Sequence, residues 1–157
     1  MKKNFKIIVV FITTMFMYKI IKKTKKLLDI FGKEYEREKR LCNLFREWVI
    51  IKIEKKEICD YLWENGYREV ALYGMNYVGE ILLQDLGQSE IKVKYAIDKN
   101  AKYIRTGVTM IKPDEKLPEV DMVIVTAIAY FDEIKDNLSK KISCPIVSLE
   151  DILSKLL

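Results

Sequence analysis

The sequence contains no histidine among its 157 residues. The common zinc-binding sets of histidine and cysteine therefore cannot be built, and we expect no metal site. The absence of histidine also removes the side chain that most often acts as a general base near neutral pH, and with it every Ser-His or Cys-His nucleophile pair. Any catalysis would have to use carboxylate, tyrosine, lysine or cysteine side chains.

Cysteine is scarce as well, with only Cys42, Cys59 and Cys144, and no two of them form a C-x-x-C pair. An odd number of widely separated cysteines argues against a secreted scaffold held by disulfide bonds. We therefore expect the folded part to lie in the reducing cytoplasm. The simplest role for these three residues is that of small hydrophobic side chains in the core.

Acidic residues are missing from the first 28 positions, which contain eight lysines (Lys2, Lys3, Lys6, Lys19, Lys22, Lys23, Lys25 and Lys26). Residues 29–157 contain the other 20 basic residues and all 23 acidic residues, so this part is slightly acidic. A nucleic-acid-binding domain usually carries a basic face on its folded body. The charge distribution therefore predicts no nucleic-acid partner.

A hydrophobic run long enough to cross a membrane is also missing. The run from Ile7 to Tyr18 has twelve residues, which as a helix span about 18 Å against a hydrocarbon core of about 30 Å. Lysines follow the run where a signal peptide would have small residues, so we expect no cleavage. Three interpretations stay open: a short signal anchor, a helix held by lysines on anionic lipid, or a helix that packs on the body or on a second copy.

The position of the lysines indicates an orientation in case this segment does bind a membrane. The larger cluster, Lys19 to Lys26, follows the apolar run. Because basic residues favour the cytoplasmic side, we expect the body to stay in the cytoplasm at the inner face of the cell membrane.

Two helices are expected before the sheet-forming part of the chain. Residues 33–51 repeat apolar positions every three or four residues, which predicts an amphipathic helix. A second helix is predicted over residues 55–65, with Gly66 ending it, and breaks are expected at Gly32 and around residues 52–54. We therefore divide the chain into an apolar, basic helix at 1–31, a helical segment at 32–66 and a domain at 67–157.

From Arg68 onward, short apolar runs alternate with helical patterns, which is typical of a parallel sheet. Strands are predicted at 69–73, 92–97, 108–111, 122–126 and 145–148, and helices at 77–86, 130–140 and 149–156. The link between the second and third strands is short for a helical crossover, so the third strand is expected at an edge. The predicted fold class is a three-layer α/β domain with a mainly parallel sheet in the order 3-2-1-4-5, preceded by N-terminal helices.

The segment with the clearest chemical meaning begins where the first strand ends. Gly74, Asn76 and Gly79 occupy the glycine positions of the G-x-G-x-x-G fingerprint that binds a dinucleotide. In that fingerprint the first glycine permits a tight turn and the third permits close contact between helix and strand. Asn76 replaces the middle glycine, whose place lets a phosphate approach the backbone. The candidate binding residues of this turn are Gly74, Met75, Asn76, Tyr77 and Gly79.

Two further candidates follow other strands. Asp98 closes the second strand, twenty-four residues beyond Gly74, near the spacing of the acid that binds a ribose hydroxyl. Thr126 closes the fourth strand, where ligands of open α/β sheets bind, although it could equally cap a helix or satisfy a strand end.

The segments ALYGMNYVGEILLQDL, VKYAIDKNA, LPEVDMVIVTAIAYFDEIKDNL and CPIVSLEDIL carry a family resemblance. From about residue 48 to its end, the chain resembles small Rossmann-like nucleotide-binding proteins and domains of bacterial surface-polysaccharide (capsule and lipopolysaccharide) biosynthesis. It is similar to the nucleotide-sugar-binding N-terminal domain of sugar acetyltransferases. The resemblance implies that the glycine turn meets phosphates and that Asp98 meets a base or ribose. The sequence shows no acetyltransferase repeats and no methyltransferase or glycosyltransferase domain.

Three functions remain open. The first is a non-catalytic module that binds a nucleotide or nucleotide-sugar beside glycosyltransferases or methyltransferases, associated with the membrane and able to form a homo-oligomer. The second is an NAD-dependent sugar epimerase or dehydratase, which needs a Tyr-x-x-x-Lys pair on a helix. The pairs Tyr95–Lys99 and Tyr18–Lys22 have this spacing, which we attribute to chance. The third is a scaffold or interaction protein that binds no ligand.

Overall fold

The structure, a computed structural model, describes the backbone of residues 2–157 and the side chains of residue 11 and residues 13–157. The lysines at 2, 3 and 6 and most of the first half of the predicted apolar run therefore have side chains outside the described residues. The chain divides into two compact units, Met1–Cys42 and Asn43–Leu157. The sequence places its boundaries at residues 31 and 66, and these remain a prediction.

The helices and strands alternate along most of the second unit. Their bounds are α1 Lys2–Ile53, α2 Ile58–Glu64, β1 Glu69–Tyr73, α3 Tyr77–Leu86, β2 Lys92–Ile97, β3 Thr109–Ile111, β4 Met122–Val125, α4 Phe131–Leu138, β5 Ile146–Ser148 and α5 Leu149–Leu156. One turn of 3-10 helix, Ile128–Tyr130, leads into α4.

Within the described residues, the five strands form one sheet in the order β3-β2-β1-β4-β5. Every neighbouring pair is parallel; Tyr73, for example, lies opposite Ile97 of β2 and Val125 of β4. The predicted fold class, strand order and edge position of β3 are confirmed. Successive strands step to one side of β1 and then to the other, so the carboxyl ends of β1 and β4 meet at the switch point of the sheet.

The two faces of the sheet are covered by different helices. Alternate strand residues on one face, among them Ala71, Tyr95 and Val123, pack with Ile134 and Leu138 of α4. The residues between them face the other side because side chains alternate along a strand. There α3 contacts β1 and β2, and α5 contacts β5 and α2. The domain therefore has three layers, and its core lies on both faces of the sheet.

The last turns of α1 belong to the second unit and explain why the sequence predicts an amphipathic helix there. Leu44, Trp48 and Ile51, three or four residues apart, are buried. The helix ends at Ile53, as predicted, and Lys55 adopts a positive φ of 59°. Gly66, with φ of 83°, follows α2 as predicted.

The predicted break at Gly32 is wrong, because α1 continues through it without interruption. A single glycine costs a helix only about 1 kcal/mol relative to alanine. The neighbouring residues are mostly good helix formers, so one glycine does not end the helix.

Among the described side chains of the first unit, most apolar residues of α1 are exposed. Phe11, Phe16, Leu28, Phe31 and Tyr35 are each between 63% and 67% exposed. Within the described part of the chain, no helix combines the length and the apolar character needed to cross a membrane.

The expectation that the three cysteines are core residues is wrong for Cys42, which is exposed. It holds only in part for Cys59 and Cys144, which are half-buried. Only Cys144 packs against the core on the α4 face, at its margin. Cysteine composition alone could not show this, because burial depends on which face of its element each residue occupies.

Candidate functional site

The turn after β1 requires glycine at its first position. Gly74 has a φ of 97°, a conformation that residues with a side chain rarely adopt. A Cβ atom placed there would lie 3.0 Å from Thr126 Oγ1 and 3.1 Å from the Cβ of Ala127. The Gly74 N–H donates a hydrogen bond to the carbonyl oxygen of Ile97, at 2.9 Å. The turn is thus held against the ends of both neighbouring strands.

Gly79 allows α3 to begin directly against this turn. A Cβ atom at Gly79 would lie 2.1 Å from the carbonyl oxygen of Gly74, which is too close for any side chain. Gly74 and Gly79 therefore have the two structural roles that the fingerprint predicts for its first and third glycines. Their contact with a ligand remains a prediction.

Asn76 caps α3. Its backbone is extended, and its side-chain Oδ1 accepts hydrogen bonds from the N–H groups of Val78 at 3.1 Å and Gly79 at 3.4 Å. These are amides that a phosphate at the helix N-terminus would use. A phosphate could reach them only if the exposed Asn76 side chain rotates away.

Asp98 lies at the end of β2 and holds the glycine turn. Its Oδ2 accepts a hydrogen bond from the Met75 N–H at 2.9 Å, and its Oδ1 accepts one from the Asn100 N–H at 2.7 Å. Since a carboxylate has about four acceptor positions, two remain for another donor such as a ribose hydroxyl. The structure thus brings Asp98 to the glycine turn, as the sequence pattern predicts, through a backbone contact that the pattern does not reveal.

Thr126 ties the end of β4 to the same turn. The residue is 1% exposed. Its N–H donates to the Tyr73 carbonyl oxygen at 2.9 Å, and its hydroxyl donates to the carbonyl oxygens of Tyr73 and Gly74. The structure shows the strand-end role that the sequence leaves open for Thr126, and contact of Thr126 with a ligand remains a prediction.

A cleft of about 580 Å³ opens at the carboxyl ends of the strands, between the glycine turn and α4. This volume lies within the usual range of small-molecule sites. Gly74 and Asp98 line it, whereas the other five predicted site residues (Met75, Asn76, Tyr77, Gly79 and Thr126) are not among its lining residues.

The cleft has lining residues outside the predicted set of site residues, although the strand-end rule already points to Ala127, next to Thr126 after β4. They are Tyr73, Lys99, Asn100, Pro113, Asp114, Ala127, Tyr130, Glu133, Ile134, Asn137, Leu138, Lys140 and Lys141. Lys99, Asn100 and Asp114 follow strands β2 and β3, so the strand-end rule could have found them. The residues on and after α4 could not be found in this way, because their position depends on how that helix packs on the sheet.

Charges of both signs surround the cleft: three lysines, at 99, 140 and 141, and three acids, at 98, 114 and 133. Lys141 Nζ donates to the Pro113 carbonyl oxygen at 2.6 Å, which joins the segment after α4 to the loop after β3. This hydrogen bond links two segments that line the cleft.

Tyr73 adds a neutral hydrogen-bond donor to the cleft. Burial raises the pKa of its phenol, and the negative charges of Asp98 and Glu133 raise it further. The phenol therefore stays protonated at physiological pH and can donate a hydrogen bond to a ligand.

These features define a Rossmann-like α/β domain with a cleft at its switch point that apolar and charged residues line together. Comparison of the chain with protein-family models, curated protein sequences and solved structures finds no match. The resemblance to polysaccharide-biosynthesis proteins therefore remains an expectation carried by the quoted segments.

Proposed function

We propose that the second unit is a non-catalytic module that binds a nucleotide or nucleotide-sugar, acting in the cytoplasm beside glycosyltransferases or methyltransferases of bacterial surface-polysaccharide biosynthesis. The observation that carries this proposal is the meeting of Gly74 and Asp98 in one cleft at the switch point. Ligands of open α/β sheets bind at that place.

The chemistry of the cleft suits such a ligand. Lys99, Lys140 and Lys141 offer cations for a phosphate, while Asp98 and Tyr73 offer an acceptor and a donor for hydroxyl groups. A sugar nucleotide combines an anionic linker with many hydroxyl groups. NAD shares this chemistry, so it belongs in the same test.

The rival enzyme function has less support. Tyr95 lies on strand β2, not on a helix. Its hydroxyl donates a hydrogen bond to the Pro118 carbonyl oxygen at 2.7 Å, and burial raises the pKa of Tyr95 to about 12. It therefore does not form the helical Tyr-x-x-x-Lys pair of a short-chain dehydrogenase with Lys99. The other pair, Tyr18 and Lys22, belongs to the first unit.

A specific observation favours the scaffold function as the second candidate. The turn satisfies its own amides, because Asn76 accepts from Val78 and Gly79 and Asp98 accepts from Met75. A protein that binds no ligand needs such internal partners. The binding experiment decides between the two functions.

The test is a thermal-shift screen of the full chain against NAD, NADP, coenzyme A, UDP, UDP-sugars and CMP-sugars, followed by calorimetry. A ligand at a hundred times its dissociation constant should stabilise the protein by about 2.7 kcal/mol. No stabilisation by any of these compounds would support the scaffold function. Turnover of a bound nucleotide-sugar would refute the non-catalytic proposal.

Variants locate the ligand in the cleft. Tyr73→Phe removes only the hydroxyl and should weaken binding about fivefold, since a hydrogen bond contributes about 1 kcal/mol. Tyr103→Phe is the matched control, because Tyr103 is 79% exposed and does not line the cleft. Equal affinities of both variants would exclude Tyr73 from the site.

We also propose that residues 1–28 bind the anionic inner face of the cell membrane. The support is the set of lysines without acids beside exposed apolar residues such as Phe11 and Phe16. The full chain should sediment with vesicles that contain an anionic lipid and less with zwitterionic vesicles, and salt should weaken the difference. Replacing Lys22 and Lys23 by glutamate should abolish the preference, whereas the same change at Lys102 and Lys112 should not.

A further inference from the structure

The first unit presents a regular apolar stripe that its own residues do not cover. Going along α1 from residue 17 to residue 42, steps of four and three residues select a set that we call the heptad seam: Met17, Ile21, Thr24, Leu28, Phe31, Tyr35, Glu38 and Cys42. All eight are exposed. A repeat of seven residues sustained over more than three heptads is the pattern of a coiled coil.

The distribution of charge follows the same repeat. Thirteen charged residues lie between positions 17 and 42, and Glu38 is the only one of them on the heptad seam. Six of the eight seam residues are apolar, and the seventh, Thr24, is uncharged. A stripe this free of charge in so charged a helix indicates a surface that another helix covers.

The length of the helix leads to the same expectation. α1 has 52 residues, and a helix much longer than about 25 residues is typical of a coiled coil, a membrane span or a helical repeat. Within the described residues, α1 lacks the apolar length of a membrane span. Leu28, Phe31 and Tyr35 are each more than 60% exposed, so a partner helix would remove much apolar surface from water.

We propose that residues 17–42 form a parallel, two-stranded coiled coil with a second copy of this chain. This inference goes beyond ligand binding and does not depend on whether the cleft is occupied. The partner helix on the heptad seam is that of a second copy, and the charges beside the seam favour this partner.

One flanking pair carries opposite charges between two parallel copies, and the other two pairs, Ile20 with Lys25 and Leu27 with Gly32, place no like charges together. In this arrangement Glu34 of one copy lies beside Lys39 of the second copy, since the residue before one seam position meets the residue five places later on the partner. Lysines 19, 22, 23 and 26 fall on positions away from the seam, where they keep contact with water. Two copies can therefore approach without bringing these lysines together.

A membrane surface fits the whole seam less well than a second copy does. The seam continues through residues 33–42, where Glu34, Glu36 and Glu38 alternate with basic residues. Anionic lipid would repel these carboxylates. Lipid binding by the lysine-rich part remains compatible with a coiled coil, because its lysines lie outside the seam.

Glu38 is the one unfavourable member of the seam, because two copies place it opposite itself. Its carboxylate lies 3.3 Å from the guanidinium of Arg37 on the same helix, which offsets part of its charge. A single polar residue in a seam fixes the register of a coiled coil and lowers its stability. The expected dimer is therefore specific but moderate in affinity.

The first experiment measures the mass of the full chain by sedimentation without lipid. We expect a dimer, with twice the 18.5 kDa of one chain. Phe31→Lys should raise the dimer dissociation constant about a hundredfold or more, because both copies lose a buried ring and gain a charge. Ile30→Lys is the matched control: Ile30 is also exposed, at 53%, but lies outside the seam, and its variant should remain dimeric.

The second experiment tests the orientation through Cys42, which lies on the seam. With Cys59 and Cys144 replaced by serine, diamide should oxidise the two Cys42 thiols of a parallel dimer to one disulfide and be reduced in turn. An antiparallel pair would hold the two thiols roughly 35 Å apart, at 1.5 Å per residue. Adding Cys42→Ser should abolish the covalent dimer.

Each other result overturns the proposal. A monomer at micromolar concentration, a larger assembly, or equal dissociation by Phe31→Lys and Ile30→Lys would refute the two-stranded seam. A dimer without the Cys42 cross-link would refute the parallel arrangement. If the protein is a monomer that binds vesicles, and Phe31→Lys abolishes this vesicle binding, the seam is a lipid-binding surface instead.

Discussion

The two units of the chain use apolar residues in opposite ways. In residues 43–157, apolar side chains meet one another on both faces of a sheet, and Val70, Leu72 and Ile124 are completely buried. In residues 1–42, a single helix exposes rings such as Phe16 and Phe31 to solvent. Most helical stability in proteins comes from tertiary packing, which the second unit has and the described part of the first unit lacks. The proposed coiled coil would supply such packing to the first unit.

The close packing of the second unit should be most sensitive at Gly79. We expect Gly79→Ala to change the free energy of unfolding more than any other substitution proposed here. The new Cβ would meet the Gly74 carbonyl oxygen, so α3 must move away from β1. We expect the second unit to lose about 3 kcal/mol of unfolding free energy. Denaturant unfolding followed by the fluorescence of Trp48 and Trp63, the two tryptophans of the chain, measures this loss. A loss below about 0.5 kcal/mol would mean that the helix does not approach the turn so closely.

High pH should weaken the second unit through its buried tyrosine. The pKa of Tyr95 is about 12, raised by burial, whereas an unfolded tyrosine has a pKa of about 10. The unfolded chain therefore loses this proton first, and stability falls as the pH rises from about 10 to 12. The full loss is about 2 to 3 kcal/mol.

Tyr95→Phe isolates this contribution from those of other groups. The variant leaves the Pro118 carbonyl oxygen without its donor, so it should be about 1 kcal/mol less stable at neutral pH. Its stability should then depend less on pH above about 10 than that of the wild type. Parallel pH profiles of the two proteins would show that Tyr95 does not titrate as expected.

An effect smaller than that of Gly79→Ala is expected where β4 meets the glycine turn. Thr126→Val keeps the shape of the side chain but removes the hydroxyl that donates to the Tyr73 and Gly74 carbonyl oxygens. We expect a loss of about 1 to 2 kcal/mol in denaturant unfolding. Thr109→Val is the control, since Thr109 is exposed on the edge strand β3 and should change stability by less than about 0.5 kcal/mol.

The smallest effect should have the opposite sign and should be confined to the first unit. Gly32 lies inside α1, and a Cβ atom added there would meet no neighbouring side chain within 4 Å. Gly32→Ala should therefore stabilise the helix by about 0.5 to 1 kcal/mol. Circular dichroism during heating should show later loss of helix, while tryptophan fluorescence should report unchanged unfolding of the second unit. Destabilisation would mean that Gly32 has a neighbour that the single chain does not contain.

The sequence predicts the sheet well because its strands are short, apolar and bounded by turns. Strands β1 and β2 begin and end where the alternation indicates, and the crossover rule orders all five. The glycine turn and Asp98 lie together because they follow the neighbouring strands β1 and β2, whose order and ends the sequence predicts. Gly32 is the exception, because the helix-forming residues around it outweigh the local preference of glycine for a break.

The candidate site is harder to predict, because a cleft is a property of tertiary structure. Lys140 and Lys141 follow α4 and reach the cleft only through the way that this helix packs on the sheet. Asn76 shows a second limit: its mismatch to the fingerprint is visible in the sequence, but its use of the α3 amides is visible only in the folded turn.

The hydrogen bonds that Asp98 makes to Met75 and Asn100 have a consequence for recognition. They order the backbone at the mouth of the cleft before any small molecule arrives. A ligand that binds there would therefore lose its own conformational entropy, while the loop would lose little. Such a preorganised site would select ligands by shape and hydrogen bonding rather than by folding around them.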